Sequence, residues 1–335
     1  MFNNLLKLFI KNIILFFIFF FVTTTFAFNV NKKKKKEKKK KLPHNIEAIE
    51  SRFMFSPNYS SQFTKLVISP RAFDNQNKII YKPNVFGSIG FSTSIKKFKF
   101  AYAFKLNPLN KNLGNTNYKN INLGIQTRIV GLNFFYLRYN GFYLQNKNDF
   151  NNITQNYIRP DIKINTIGLS ADFVMTKSFS INAAFSQNER QKKSAGSFMI
   201  MISDRYTFFD SDSSIILQQE ALNYDRTRYI NNVKSNTLLI APGFGYSIIY
   251  KHFNFTPIIL AGIGNQIKLY HYNKENSYSF RFPLYFLYKN AIGYNGKKFF
   301  FNIIYSYDLN NLRFKDSNVN LKIIYWKLNL GFRII

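Results

Sequence analysis

Large apolar residues and small or polar ones alternate along most of the chain, with a period of two. The clearest run is Phe98-Lys99-Phe100-Ala101-Tyr102-Ala103-Phe104-Lys105-Leu106, where one set is large and apolar and the other is Lys or Ala. Successive side chains of an extended strand point to opposite faces, so the run predicts a strand with one greasy and one polar side. The pattern recurs in residues 120–130, with Ile121, Leu123, Ile125 and Ile129 opposite Asn122, Gly124, Gln126 and Arg128. It recurs in 166–173, with Ile167, Leu169, Ala171 and Phe173 opposite Thr166, Gly168, Ser170 and Asp172, and in 179–186 and 299–307. The chain ends on it: Leu328, Leu330, Phe332 and Ile334 alternate with Lys327, Asn329, Gly331 and Arg333.

The connections sharpen the picture. Residues 96–97, Gly131, 176–178, 251–252 and the hairpin dipeptide Asn295-Gly296 read as tight, whereas 107–118, 145–160, 220–236, 267–277 and 309–318 are long and polar. Short and long alternate, as in outer-membrane barrels, where short periplasmic turns face longer external loops. Keeping that phase requires a strand at 63–73 and a weak one at 213–219. The expectation is an all-β, transmembrane, antiparallel up-and-down β-barrel of about 12 to 14 strands, an even number. A soluble sandwich or propeller would need polar outer faces and one thin core for 39 Phe.

The N-terminus reads as an export signal. Lys7 and Lys11 precede an apolar run at 13–22, and Thr25-Phe26-Ala27 supplies a small-residue cleavage site after Ala27. That run is half the roughly 20 residues a spanning helix needs. The expected organisation is a signal peptide at 1–27, a disordered Lys-rich linker at 28–62 on the periplasmic side, and the barrel at 63–335 of an outer-membrane protein from a Gram-negative bacterium.

Composition changes this little. The net charge of +31 comes partly from the lysine run at 32–41, and Lys, Asn, Ile and Phe abound together, as A+T-rich codon usage produces. The aromatics alternate along strands instead of clustering with Arg, so nucleic acid is not expected as a partner. Without cysteine there is no disulfide, thiolate metal site or lipidated cysteine.

Candidate chemistry is sparse. His44, His252 and His271 fall in the linker, a tight turn and an external loop, none beside a serine on the same strand face. Gly262-Ile263-Gly264 lacks the strand-to-helix context of a phosphate loop, and Asp210-Ser211-Asp212-Ser213-Ser214 lacks the glycine and final glutamate of a calcium loop. No catalytic residue, cofactor or metal is expected. The candidate site is a lumenal charged network of Arg128, Arg138, Asp172, Glu189, Arg190, Lys192 and Lys193, with Lys99, Lys105 and Arg333 also aimed inward. Charges facing lipid would cost about 2 to 4 kcal/mol at the midplane. The segment 188–197 could form either a charged plug that filters solutes or a network holding the wall together.

Arg159-Pro160-Asp161, the run from Phe185 through Asn188-Glu189-Arg190-Gln191-Lys192-Lys193-Ser194-Ala195-Gly196-Ser197-Phe198, the 242–246 segment and Gly331-Phe332-Arg333 resemble a domain-of-unknown-function family of exported Bacteroidota proteins. That resemblance implies an outer-membrane location and assigns no reaction or ligand. The terminal Ile335 departs from the aromatic residue such strands usually present to the barrel-assembly machinery, for which Leu328, Leu330, Phe332 and Ile334 form the expected signal. The expected partners are outer-membrane lipid and that machinery. The expected role is a narrow passive pore or a structural barrel, with a surface adhesion barrel as the alternative and a lipid-directed enzyme behind it.

Overall fold

The computed structural model describes residues 45–49, 53–70, 78–95, 98–108, 110–150, 157–272, 275–313 and 318–334. Ala27, the expected signal peptide and most of the expected linker lie outside these residues. The strands are β1 (Ile46–Ala48), β2 (Phe53–Ser69), β3 (Ile79–Lys82), β4 (Ser88–Ile95), β5 (Phe98–Lys105), β6 (Asn117–Gln126), β7 (Val130–Leu144) and β8 (Ile158–Val174). There follow β9 (Glu189–Gln191), β10 (Ala195–Asp210), β11 (Asn232–Tyr250), β12 (Phe253–Tyr272), β13 (Glu275–Arg281), β14 (Leu284–Asn295), β15 (Phe299–Arg313) and β16 (Asn318–Ile334).

Among the described residues, twelve strands form a closed antiparallel ring. The last strand seals it against the first: Arg333 lies opposite Met54 and Asn318 opposite Ser69. Closure matters because an unpaired backbone group in hydrocarbon costs several kcal/mol, and a ring leaves no edge. β13 continues β14 across the break at Phe282-Pro283 and pairs with the outer half of β12. β4 and β5 have only eight residues and β6 ten, against 17 in β2 and 15 in β7. The gap above the short strands is filled by β3, which pairs with β2 on one side and β7 on the other.

The outward phase is a band of exposed apolar side chains. Ile259 is 50% exposed, Ile303 46%, Phe198 70% and Phe332 57%. Phe98, Phe100 and Phe104 of β5 and Leu330 and Ile334 of β16 belong to the same outer surface, as the alternation predicts. The inward phase is polar and small: Ser56, Asn58, Ser60 and Thr64 of β2 are buried, as are Asn302 and Asn329. A wall greasy outside and polar inside is a transmembrane barrel.

Several sequence expectations are corrected. The first strand starts at Phe53 instead of residue 63, because Ser56, Asn58 and Ser60 supply the lumenal face of a strand whose outer face begins with Phe55. No strand forms at 213–219, which enters a turn and a 3-10 segment, Gln218–Tyr229. Residues 179–186 form no strand either. β8 pairs directly with β10, with Ser170 opposite Ser203, and the intervening chain leaves the wall. The turn expected at Gly131 lies at 127–129, and the Asn295-Gly296 hairpin is a three-residue connection at 296–298. The expected loops at 267–277 and 309–318 are largely strand, so His271 lies in β12.

The exposed belt gives a test. Ile259→Arg, at half exposure in the middle of the belt, should destabilise the barrel refolded in lipid by about 2 to 4 kcal/mol. An equally exposed residue of a soluble protein would change stability by no more than about 0.5 kcal/mol. Denaturant titration in lipid vesicles separates the two values.

Candidate functional site

The site grows from the connection between β8 and β10. After Val174 the chain turns at the short-turn end of the barrel and enters the lumen instead of crossing to its neighbour. Phe179 is fully buried against Val174, Met199, Leu239, Ile258 and Leu260, which are inward residues of the wall. Burying a side chain of this size contributes about 1.5 to 3 kcal/mol. The apolar members of 179–186 that mimic a lipid-facing strand are thus packing against the inside of the wall. A π-helical turn, Asn182–Ser186, follows and ends at Gln187, whose φ of 57° reverses the chain. The segment returns as β9, which pairs with β1: Ile46 lies opposite Gln191 and Ala48 opposite Glu189.

Such a segment carries backbone carbonyls into a space without a sheet to receive them, so wall side chains must satisfy them. Asn302 Nδ2 donates to the Ala184 carbonyl at 3.0 Å, and Asn295 Nδ2 donates to the Glu189 carbonyl at 2.8 Å. Arg333 donates to the carbonyls of Gln187 and Gly296 and, at 2.7 Å, to Asn295 Oδ1. Its guanidinium lies 4.5 Å from the Phe300 ring centre. Gly331 makes that stack possible, since a Cβ there would fall 2.0 Å from the Phe300 ring. From the opposite wall, Lys99 Nζ donates to Asn182 Oδ1 at 3.0 Å and to Ser186 Oγ. The segment is therefore a plug tied to the wall on both sides of the lumen.

The predicted charged network divides. Arg128 pairs with Glu189 at 3.1 Å, and Ser180 Oγ donates to the other Glu189 oxygen at 2.6 Å. Arg190 and Lys192 both face Glu47 of β1, at 3.5 and 3.6 Å, and Arg190 also meets His252 Nε2 at 3.1 Å. Lys193 is exposed, and its carbonyl accepts from Gln191 Nε2 at 3.1 Å. Asp172, two residues from the short-turn end of β8, accepts from Asn133 Nδ2 at 3.4 Å. Lys105 points inward to the Thr116 carbonyl at 2.7 Å.

Arg138 is the exception: it stands opposite Lys119 and Asn165 on the outward phase, with Phe134 and Tyr136. Both faces of β7 carry large residues, so alternation alone leaves its phase open. Phe142 faces inward because a bulge between Asn140 and Phe142, with Gly141 at φ 96°, shifts the register.

The long-loop end is closed differently. Leu66, Ile68, Tyr81, Phe142, Ile162 and Tyr224 form part of one buried apolar cluster that draws on β2, β3, β7, β8 and the 211–231 connection. Arg159 and Asp161 hold that connection down. Arg159 makes a bidentate pair with Asp161 at 2.8 and 2.7 Å and donates to the carbonyls of Ser213 and Ser214 at 3.1 and 2.9 Å. The Asp212 amide donates to Asp161 at 3.1 Å. Asp210 accepts from Asn232 at 2.9 Å, so this stretch is a polar turn. Among the described residues no three metal-ligating side chains gather.

Sequence reading missed the strut between plug and cap. Arg205 of β10 reaches Asp308 of β15 at 3.1 Å and the Tyr285 hydroxyl of β14 at 3.2 Å. Its inward phase was the available signal, since Arg205 follows Ser203 in the polar set of β10.

The chain belongs to the family described as Domain of unknown function (DUF4421), which it matches over residues 45–333. A search of curated proteins found no match. Among solved structures it is similar to the outer membrane protease OmpT from Escherichia coli, at 8% identity and a TM-score of 0.39, covering 85% of this chain and 97% of that one. It is similar to the translocator domain of the autotransporter NalP from Neisseria meningitidis, at 11% identity and a TM-score of 0.36, covering 85% and 90%. It is also similar to Ail, the attachment invasion locus protein of Yersinia pestis, at 12% identity and a TM-score of 0.20, covering 85% and 99%.

Removing the Arg333 side chain leaves buried carbonyls of the plug and the adjoining turn without their charged donor. Arg333→Ala should lower barrel stability by about 2 to 4 kcal/mol, since hydrogen bonds to charged groups contribute about 1.5 to 3 kcal/mol each. It should also make 179–191 sensitive to protease while the strands stay protected. Limited proteolysis with mass mapping in detergent reads both effects.

Proposed function

We propose that the protein is an outer-membrane barrel without a permanently open channel, acting as a structural or surface-interaction protein. The observation that carries this reading is the plug bonded to both sides of the lumen by Lys99, Asn295, Asn302 and Arg333. The apolar cluster at the other end supports it. The short-turn end is periplasmic and the long-loop end external, by the general asymmetry of such barrels. The chain is exported with its signal peptide removed after Ala27, and the Lys-rich linker sits in the periplasm. Lipid contacts the belt, and the assembly machinery reads the outer face of β16. Nucleic acid is no partner.

The adhesion reading draws on the external 3-10 segment, where Leu222 is 86% exposed. Catalysis on lipid stands last. His252, the histidine whose surroundings are described, faces Arg190 and the Tyr294 ring instead of a nucleophile.

Planar-bilayer recording tests the closed state. The wild type should give no steady conductance steps. A variant in which short Gly/Ser links replace both 179–191 and 213–229 should conduct. Steady steps from the wild type would return the protein to the passive pores.

A further inference from the structure

Beside the plug lies a cavity of about 190 Å³, lined on the wall by residues of β2, β4, β5, β6, β7, β15 and β16 and on the inside by Phe185, Ser186 and Asn188. At about 30 Å³ per water, it has room for roughly six waters. Met54 and Ser94, near the short-turn ends of β2 and β4, line it together with Asn188, so the cavity reaches down to the short-turn end of the wall. Two ammonium groups, Lys99 and Lys327, line it.

Its charges do not balance. Lys99 is held by Asn182 and Ser186, which are neutral. Lys327 has no hydrogen-bond or ion-pair partner among the described residues, and its electrostatic neighbour is another cation, Lys289. Lys289 lies against the Phe185 ring at 4.3 Å and within electrostatic reach of Lys99. Asp172 is the carboxylate that answers Lys99 and Lys289, and Glu189 is already committed to Arg128. Among the described residues three cations thus share one free carboxylate in a partly enclosed space, where an uncompensated charge is costly.

The polar lining is also incomplete. Among the described residues Ser56 Oγ and Asn329 Oδ1 have no hydrogen-bond partner, although each residue is 5% exposed and lines the cavity.

We propose that this cavity is a binding site for a small oxyanion, of the phosphate, sulfate or carboxylate class, entering from the periplasm. Lys327 supplies the unpaired charge that the anion neutralises. Lys99 adds a second ammonium, and the Ser56 hydroxyl donates a hydrogen bond. Asn329 Oδ1 accepts from a protonated oxygen of the ligand or from a water carried with it. A passive wall network would have paired these cations from the protein itself, as it pairs Arg128 with Glu189.

The test is isothermal titration of the full chain refolded in detergent micelles, at fixed ionic strength, with inorganic phosphate, sulfate and acetate in separate arms. One equivalent of at least one anion should bind saturably. The ranking of phosphate and sulfate against acetate distinguishes a phosphate-type from a carboxylate-type ligand. Lys327→Gln should weaken binding at least about tenfold, as loss of about 1.4 kcal/mol does. Asp172→Asn should tighten binding, because it removes the opposing carboxylate. Lys177→Gln, on the exposed turn after β8, should leave it unchanged. If Lys327→Gln does not refold, Ser56→Ala and Asp172→Asn carry the test by shifting affinity in opposite directions. Absence of saturable binding in every arm, or equal affinity in these variants and the wild type, overturns the proposal.

Discussion

Every backbone amide and carbonyl that meets hydrocarbon must find a partner within the chain, and this requirement shapes the molecule. It forces β16 back onto β2 and so makes a ring. The ring sends alternate side chains inward, and the question becomes what fills the interior. Barrels of eight strands are filled by their own side chains, and those of 16 to 18 leave an aqueous channel. Twelve strands fall between. This interior takes up extra chain: the plug from one end and the β3 and 211–231 segments from the other.

The two closures use opposite physics. The cap is apolar and gains from removing Leu, Ile, Phe and Tyr surface from water, with Arg159 and Asp161 as its fastening. The plug is held mainly by side chains that meet backbone carbonyls, with Phe179 as its apolar anchor. Hydrophobic packing tolerates small shifts because it is non-directional. Hydrogen bonds to a carbonyl depend on angle as well as distance, so the plug has one well-defined seat. The segments singled out in the sequence fall on these parts: Arg159 and Asp161 on the cap, Asn188 through Gln191 on the plug, Gly331 and Arg333 at its anchor.

The barrel was legible where one side of a strand is plainly greasier than the other. β5 and β16 are the cleanest cases, and their phase in the structure is the phase read from Phe98–Lys105 and Lys327–Ile334. Legibility failed where period two had another cause. Phe179, Ile181 and Phe185 alternate because they pack on the inside of a wall that local pattern cannot show. β7 is large on both faces, so Arg138 was aimed the wrong way. Arg128 and Glu189 were both in view, but no local signal pairs residues 61 positions apart. Lys289 and Arg205 went unremarked for a similar reason: each is one charge in an ordinary strand until the ring gathers them.

The pairing of β1 with β9 has a consequence for the order in which the chain can assemble. β1 precedes the barrel in sequence yet has its partner inside the plug, while β2, just after it, waits for the last strand. β1 thus stays unpaired until the plug is made, and one edge of β2, whose other edge pairs with β4, stays open until the last strand is made. Contacts so distant in sequence must close long loops before any stabilisation is returned, which makes folding slow. β1 cannot pair until β9 has been made, and the ring cannot close until β16 has been made, so neighbouring strands near the start of the barrel wait for partners far along the chain.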